Sequence, residues 1–384
     1  MDYFDAFSRL QAEERELRET VRQFVKETFL SNVAAWWQEG RFPIALIPRL
    51  GEMGLLGADL PQAYGASEVG PVSYGIIMEA LEWADSGLRS FASVQGGLVM
   101  HAIYEFGSQE QKRTWLPQLA AGKKVGCFGL TEPDAGSDPN AMRTTARRSG
   151  TGWVLDGNKL WITNAPIADL AVVWAKDEQG RINGFLVEAD AAGLTREEIP
   201  RKASMRCSVT GALHFQEVFV DEDHHLPLAH SLRAPLTCLD SARYGIVWGS
   251  IGAAEACLQE ALEYAKQRIT FGRPIAARQL IQERLVTMAS YLGEMRLTAL
   301  QLGRLKEAGR LDPAQISLAK RNNARKALEI ARMARSILAA NGITLDYQAI
   351  RHMLNLETVD TYEGTYDVHT LIAGQALTGS SAFS

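Results

Sequence analysis

Cysteine is scarce and scattered: Cys127, Cys207, Cys238 and Cys257 form no CxxC pair and no Cys/His ligand spacing. This argues against both a disulfide framework and a zinc site, and it suits a reducing compartment. Basic clusters are missing too. The chain has 40 Lys and Arg against 45 Asp and Glu, a formal charge of −5, so nucleic acid is not an expected partner. No apolar run approaches the ~20 residues that span a bilayer. The opening residues, 1–15, are acidic and lack a basic stretch followed by an apolar one, so no signal peptide is expected. The expected location is the cytoplasm, or the mitochondrial matrix if a transit peptide has been removed. The seven histidines include no HExxH; His352 and His369 are expected to pack rather than catalyse.

What is present is ample apolar material: 46% of 384 residues, enough for two or three domains with sizeable cores. Leu17, Val21, Val25 and Phe29 recur at four-residue spacing and predict an amphipathic helix. Further helices are expected near 73–84 and 109–119. From about 122 the pattern changes to short β-rich runs, among them Trp153-Val154-Leu155, Ala171-Val172-Val173-Trp174 and His214 to Val220. Asp156-Gly157 and Asn164-Ala165-Pro166 read as turns between strands. After Pro235 helical periods return near 240–268, 279–309, 313–340 and 346–355. The expected class is α+β multidomain: an N-terminal helical domain (1–121), a middle β-barrel-like domain (122–231) and a C-terminal four-helix bundle (232–384).

One run stands out. Phe128 to Asp138 reads Phe-Gly-Leu-Thr-Glu-Pro-Asp-Ala-Gly-Ser-Asp, where the sequence passes from helical to strand-like. Small, hydroxyl and turn-forming residues let backbone N–H groups approach a large planar ligand; an ordinary Asx/Gly turn loop is the plainer alternative. Dispersed runs accompany it: Asp85-Ser86-Gly87-Leu88-Arg89-Ser90, Ala242-Arg243-Tyr244-Gly245, Lys320-Arg321-Asn322-Asn323 and Thr361-Tyr362-Glu363-Gly364-Thr365. Together with the three-part order, they resemble the acyl-CoA dehydrogenase family over almost the whole chain. Within it the resemblance is strongest to the glutaryl-CoA dehydrogenases.

The resemblance implies FAD as cofactor. Phe128, Leu130 and Thr131 would line the flavin ring, Ser137 would touch the bound ligands, and Trp161 and Thr163 would form a second flavin segment. Arg268, Phe271 and Gln279 would reach the FAD of another subunit, with the guanidinium on the pyrophosphate. Asn341, Gly342 and Thr365 complete the implied cofactor set. Where the family has Gly-Gly before Asn-Gly, this chain has Ala339-Ala340, and alanine disfavours positive φ. Without the family, Trp161 is a strand-packing aromatic and Arg268 to Pro274 a turn with a solvated cation.

Glu363 is the implied base, removing a proton α to a thioester; that work needs a desolvated carboxylate. The alternative position beside Arg243 is Ala242 here, so Glu363 has no competitor there. Asp240 and Arg243 would contact the CoA moiety, although their spacing also makes an ordinary helical ion pair. Arg89 would hold a distal carboxylate, with Glu82, Ser90 and Tyr362 nearby, because an unpaired guanidinium is costly in an apolar pocket. The alternative is a surface cation beside Glu82. The implied activity is oxidation and decarboxylation of glutaryl-CoA to crotonyl-CoA, with an electron-transfer flavoprotein as acceptor and a homotetramer as the assembly. The rivals are a short- or branched-chain monocarboxylic acyl-CoA dehydrogenase, a non-catalytic flavin or acyl-CoA binding protein and, third, an acyl-CoA oxidase, which only oxygen reactivity would separate.

Overall fold

A computed structural model describes residues 2–383. Its N-terminal helices are α1 (Ala12–Val25), α2 (Val33–Glu39), α3 (Ile47–Glu52), α4 (Pro71–Ala84), α5 (Ser86–Ser93), α6 (His101–Phe106) and α7 (Gln109–Ala120). The sheet follows: β1 (Gly126–Gly129), β2 (Thr145–Ser149), β3 (Gly152–Thr163), β4 (Leu170–Lys176), β5 (Ile182–Glu188), β6 (Leu194–Glu198) and β7 (Thr210–Asp221). The C-terminal bundle contains α8 (Arg233–Gln267), α9 (Gln279–Glu307), α10 (Pro313–Ile337), α11 (Ala349–Thr361) and α12 (Tyr366–Thr378). A two-residue ribbon, β8 (Ile269–Thr270) with β9 (Arg273–Pro274), separates α8 from α9. Among the described residues, no helix is long and apolar enough to cross a membrane.

The helical, sheet and helical order matches the expected class, with α12 as a further short helix beyond the four read from the sequence. The sheet curls, in the order β1-β4-β2-β3-β7-β6, with β5 also paired to β4. The Asp156-Gly157 expectation fails. Residues 152–163 form one strand with a register shift between Leu155 and Gly157, where Gly157 takes φ 144. A bulge absorbs the turn chemistry, since Gly relieves the strain of the irregular backbone without ending the strand. A second shift between Lys159 and Ile162 puts Trp161 at φ 62 and leaves it 59% exposed.

Buried polar joints lock the layers in register. Glu79 on α4 and Glu255 on α8 accept from Arg18 and Arg22 of α1, and Arg296 of α9 also pairs with Glu255. Burial opposes the Glu255 charge, but Arg22, Arg296 and Arg18 hold its carboxyl well below the usual range. At the α4–α5 corner, the Asp85 side chain accepts from Gly87 N (2.7 Å) and from Asn355 Nδ2 (2.9 Å), and it pairs with Arg351 of α11. Asn355 Oδ1 in turn accepts from Trp37 Nε1 (3.1 Å) and Met205 N (2.8 Å). One buried asparagine thereby ties α11 to the N-terminal helices and to the loop before β7. Removing either partner of such a joint leaves a buried polar group unsatisfied.

Candidate active site

Glu363 lies between α11 and α12. It takes φ 53, and Gly364 takes φ 103. Two successive left-handed residues reverse the chain. A side chain at 364 would also be strained, and its Cβ would fall 2.7 Å from His369 Nε2. Glu363 Oε2 is enclosed with no hydrogen-bond partner among the described residues. Burial raises the Glu363 carboxyl above its ordinary value, against the pull of Arg89, Arg243 and Lys320. A desolvated carboxylate with a raised pKa is a stronger base than an exposed one and suits proton abstraction.

Arg89 is 0% exposed, which removes the surface-cation alternative. Its Nε donates to Glu82 Oε2 at 2.6 Å, and its Nη2 donates to the Tyr362 hydroxyl, next to the candidate base. Arg89 Nη1 and Glu82 Oε1 are enclosed and have no partner among the described residues. Ser90 is buried on the same helix. Arg243 Nε donates to the Glu363 carbonyl (2.8 Å), and Nη1 pairs with Asp240 (2.9 Å). The structure therefore brings Glu82, Arg89, Asp240, Arg243, Tyr362 and Glu363 into one neighbourhood, with Ser90 next to Arg89 along α5. Sequence reading assigned no role to Lys320. Its buried Nζ donates to the carbonyls of Tyr362 (3.0 Å) and Gly364 (2.7 Å), and burial pushes it down to about 7. Nor did it single out Gly249, where a Cβ would lie 2.1 Å from Glu82 Oε2 and 3.1 Å from Arg89 Nε. An unbroken helical period carries no signal for either.

A second group surrounds the end of β1. Phe128 and Leu130 are buried in one cluster with Val94, Leu98 and Ala242, which sets this strand end beside the turn of α8 that carries Arg243. The loop is tied to β3: Leu160 N donates to Thr131 O (2.9 Å) and Lys159 Nζ to Leu130 O (3.1 Å). Lys159 also pairs with Glu132 (2.8 Å), whose carboxylate accepts from Arg143 N and Thr144 N. Thr131 thus sits beside the segment that carries Trp161 and Thr163. Both threonines are half-buried, and Ser137 is exposed on the same loop.

The third group lies elsewhere. Arg268, Phe271 and Gln279 follow the far end of α8, 25 residues beyond Arg243, or about 37 Å at 1.5 Å per residue. Phe271 is 96% exposed. Asn341 Nδ2 donates to the Tyr264 hydroxyl (3.2 Å) one turn before Arg268, and Gly342 is buried close by. Ala339 does take positive φ, at 53, where alanine is strained. Thr365 stands apart from this group, at the end of the Glu363 turn, where it caps α12, its Oγ1 accepting from Val368 N (3.1 Å). These groups fit FAD chemically. Phe128, Leu130 and the open Trp161 ring offer apolar faces, Thr131 and Thr163 offer hydroxyls, and Arg268 offers an exposed guanidinium.

Three family models match in chain order: acyl-CoA dehydrogenase N-terminal domain (residues 11–123), middle domain (127–218) and C-terminal domain (232–378). The chain belongs to the acyl-CoA dehydrogenase family. This acyl-CoA dehydrogenase is 52% identical to a crystal structure of glutaryl-CoA dehydrogenase from Mycobacterium smegmatis, covering 98% of this chain and 97% of that one with a TM-score of 0.97. A glutaryl-CoA dehydrogenase from the same organism, solved in complex with FADH2, is 49% identical, with 99% and 98% coverage and a TM-score of 0.98. The mitochondrial short-chain specific acyl-CoA dehydrogenase of Homo sapiens is 34% identical, covering 94% of this chain and 89% of that protein. FAD is the cofactor of this family, and the enzyme is an FAD-dependent flavoprotein.

Proposed function

We propose that this enzyme oxidises glutaryl-CoA and decarboxylates the product to crotonyl-CoA. The observation that carries the reading is the enclosed, unpartnered Arg89 Nη1, held by Glu82 and Tyr362 beside Glu363. A plain acyl chain gives that donor nothing to bind, whereas a distal carboxylate pairs with it. The 52% and 49% identities to glutaryl-CoA dehydrogenases, against 34% to a short-chain specific enzyme, support the same choice.

Glu363 removes the α-proton while its backbone N–H donates to the thioester carbonyl, where negative charge develops. Bound FAD supplies the acceptor for the β-hydrogen. Arg89 fixes the distal carboxylate and thereby the acyl chain. Oxidation leaves that carboxylate vinylogous to the thioester carbonyl. Loss of CO2 then puts the electron pair into a dienolate, and Glu363 returns the proton to it. Phe128, Leu130, Thr131, Trp161 and Thr163 of one subunit hold the cofactor with Ser137 at the loop's outer edge. Arg268, Phe271 and Gln279 reach it from a neighbouring subunit, with Asn341, Gly342 and Thr365 in support. The separation of about 37 Å along α8 supports this cross-subunit reading, which needs at least a dimer, and a homotetramer is the assembly the family implies. An electron-transfer flavoprotein is the acceptor of the electrons.

The deciding experiment mixes the holoenzyme anaerobically with glutaryl-CoA or butyryl-CoA, follows bleaching of the flavin, and assays CO2 once an artificial acceptor is added. Bleaching and CO2 with glutaryl-CoA are expected. Preference for butyryl-CoA would make this a short-chain enzyme, and bleaching without CO2 would remove the decarboxylation. Gly249→Ala offers a separate check. Its methyl group would displace the Glu82 carboxylate and release Arg89, at a folding cost of about 1–3 kcal/mol. The ratio of kcat/KM for glutaryl-CoA over butyryl-CoA should fall by about tenfold or more, given what a misaligned buried charge pair costs. An unchanged ratio would show that Gly249 does not shape the site.

A further inference from the structure

The carbonyls of Tyr362, Glu363 and Gly364 are each drawn toward a buried basic side chain. Lys320 Nζ donates to Tyr362 O (3.0 Å) and Gly364 O (2.7 Å) and lies 3.5 Å from Asp360 O, while Arg243 Nε donates to the Glu363 O between them (2.8 Å). Lys320 is only 1% exposed, and it comes from α10, a helix that contributes none of the catalytic groups. Three ammonium protons meet three carbonyls. In a trans peptide the C=O and the following N–H point in opposite directions. Anchoring the Tyr362 carbonyl on Lys320 therefore turns the Glu363 N–H away from α10. That N–H makes no hydrogen bond among the described residues.

We propose that Lys320 is a positioning residue that fixes the Tyr362–Glu363 peptide so that the Glu363 N–H faces the substrate's thioester carbonyl. The inference rests on Glu363 as the base. Its physical basis is the strain in the turn. Glu363 at φ 53 is a conformation that a free loop leaves readily, and two basic side chains on three successive carbonyls hold it. The donor is then aligned before substrate arrives, which costs no reorganisation as charge develops on the thioester oxygen. A plain helix cap for α11 would need only some donor near its last carbonyls, and it would have no bearing on the chemical step.

Acetyl-CoA separates these roles. It has α-protons but no β-carbon, so deuterium uptake from D2O reads proton abstraction without any hydride transfer. Lys320→Met and Lys320→Gln holoenzymes should keep their FAD and their affinity for acetyl-CoA. In Lys320→Met, both deuterium uptake and kcat should fall by about 10²-fold, the scale for losing one oxyanion donor. Lys320→Gln retains donors and should recover part of that loss. Unchanged rates in both variants, beside an inactive Glu363→Gln, would overturn the role of Lys320 alone. Deuterium uptake that survives in Glu363→Gln would remove the base and this inference with it. If the variants do not fold, a structure of the wild-type holoenzyme with acetyl-CoA decides. Glu363 N within hydrogen-bond reach of the thioester oxygen supports the proposal, and a peptide turned the other way overturns it.

Discussion

Glu363→Gln is expected to lower turnover by about 10²–10⁴-fold, the usual contribution of a positioned general base. Glutamine keeps the volume and the turn, so FAD content and thioester binding should survive. Deuterium exchange at the substrate α-carbon should be lost together with kcat. The same carboxylate governs the pH profile. Burial raises its pKa while Arg89, Arg243 and Lys320 oppose the rise, with burial prevailing. Since the reaction needs the deprotonated form, activity should rise with pH along an acid limb that lies above the ordinary carboxylate range. A limb at the ordinary glutamate value, or a Glu363→Gln enzyme that turns over normally, would put the base elsewhere.

Arg89 should decide which acid is oxidised. Arg89→Gln is expected to cut kcat/KM for glutaryl-CoA by about 30- to 4000-fold, corresponding to the ~2–5 kcal/mol lost when one partner of a buried charge pair is removed. Butyryl-CoA, with no distal carboxylate, should lose much less. The single change also leaves Glu82 buried at 0% exposure without its cation, which threatens the fold. The Glu82→Gln/Arg89→Gln pair removes both charges and should restore stability, measured by thermal melting, without restoring glutaryl-CoA activity. Parallel losses on the two substrates would mean that Arg89 supports the structure and does not select the acid.

Much of this site could be read from local sequence because its groups occur in short runs. The Phe128 to Asp138 loop and Trp161 to Thr163 are contiguous. Leu160 N and Lys159 Nζ then join them through backbone carbonyls of the loop. Asp156-Gly157 misled because a turn-forming pair also suits a bulge, and only pairing with β7 across the Leu155–Gly157 shift distinguishes the two. Lys320 and Gly249 gave no sign of their places. Each occupies an ordinary position in a helical period, and what matters about them is the distance to residues 42 and 167 positions away along the chain.

The sequence alone determined the order of helices, strands and helices, which depends on residue type and near neighbours, and its short runs carried the family resemblance that implies a flavin loop and a base at Glu363. The tertiary structure alone decided that Arg89 is enclosed with a donor left unpaired among the described residues, and that Glu82 occupies the space left by Gly249. It also decided that Lys320 and Arg243 grip the carbonyls around Glu363. Burial and alignment arise where α4, α5, α8, α10 and the turn before α12 converge. A charge becomes selective, and a carboxylate becomes a base, only when packing removes water from both.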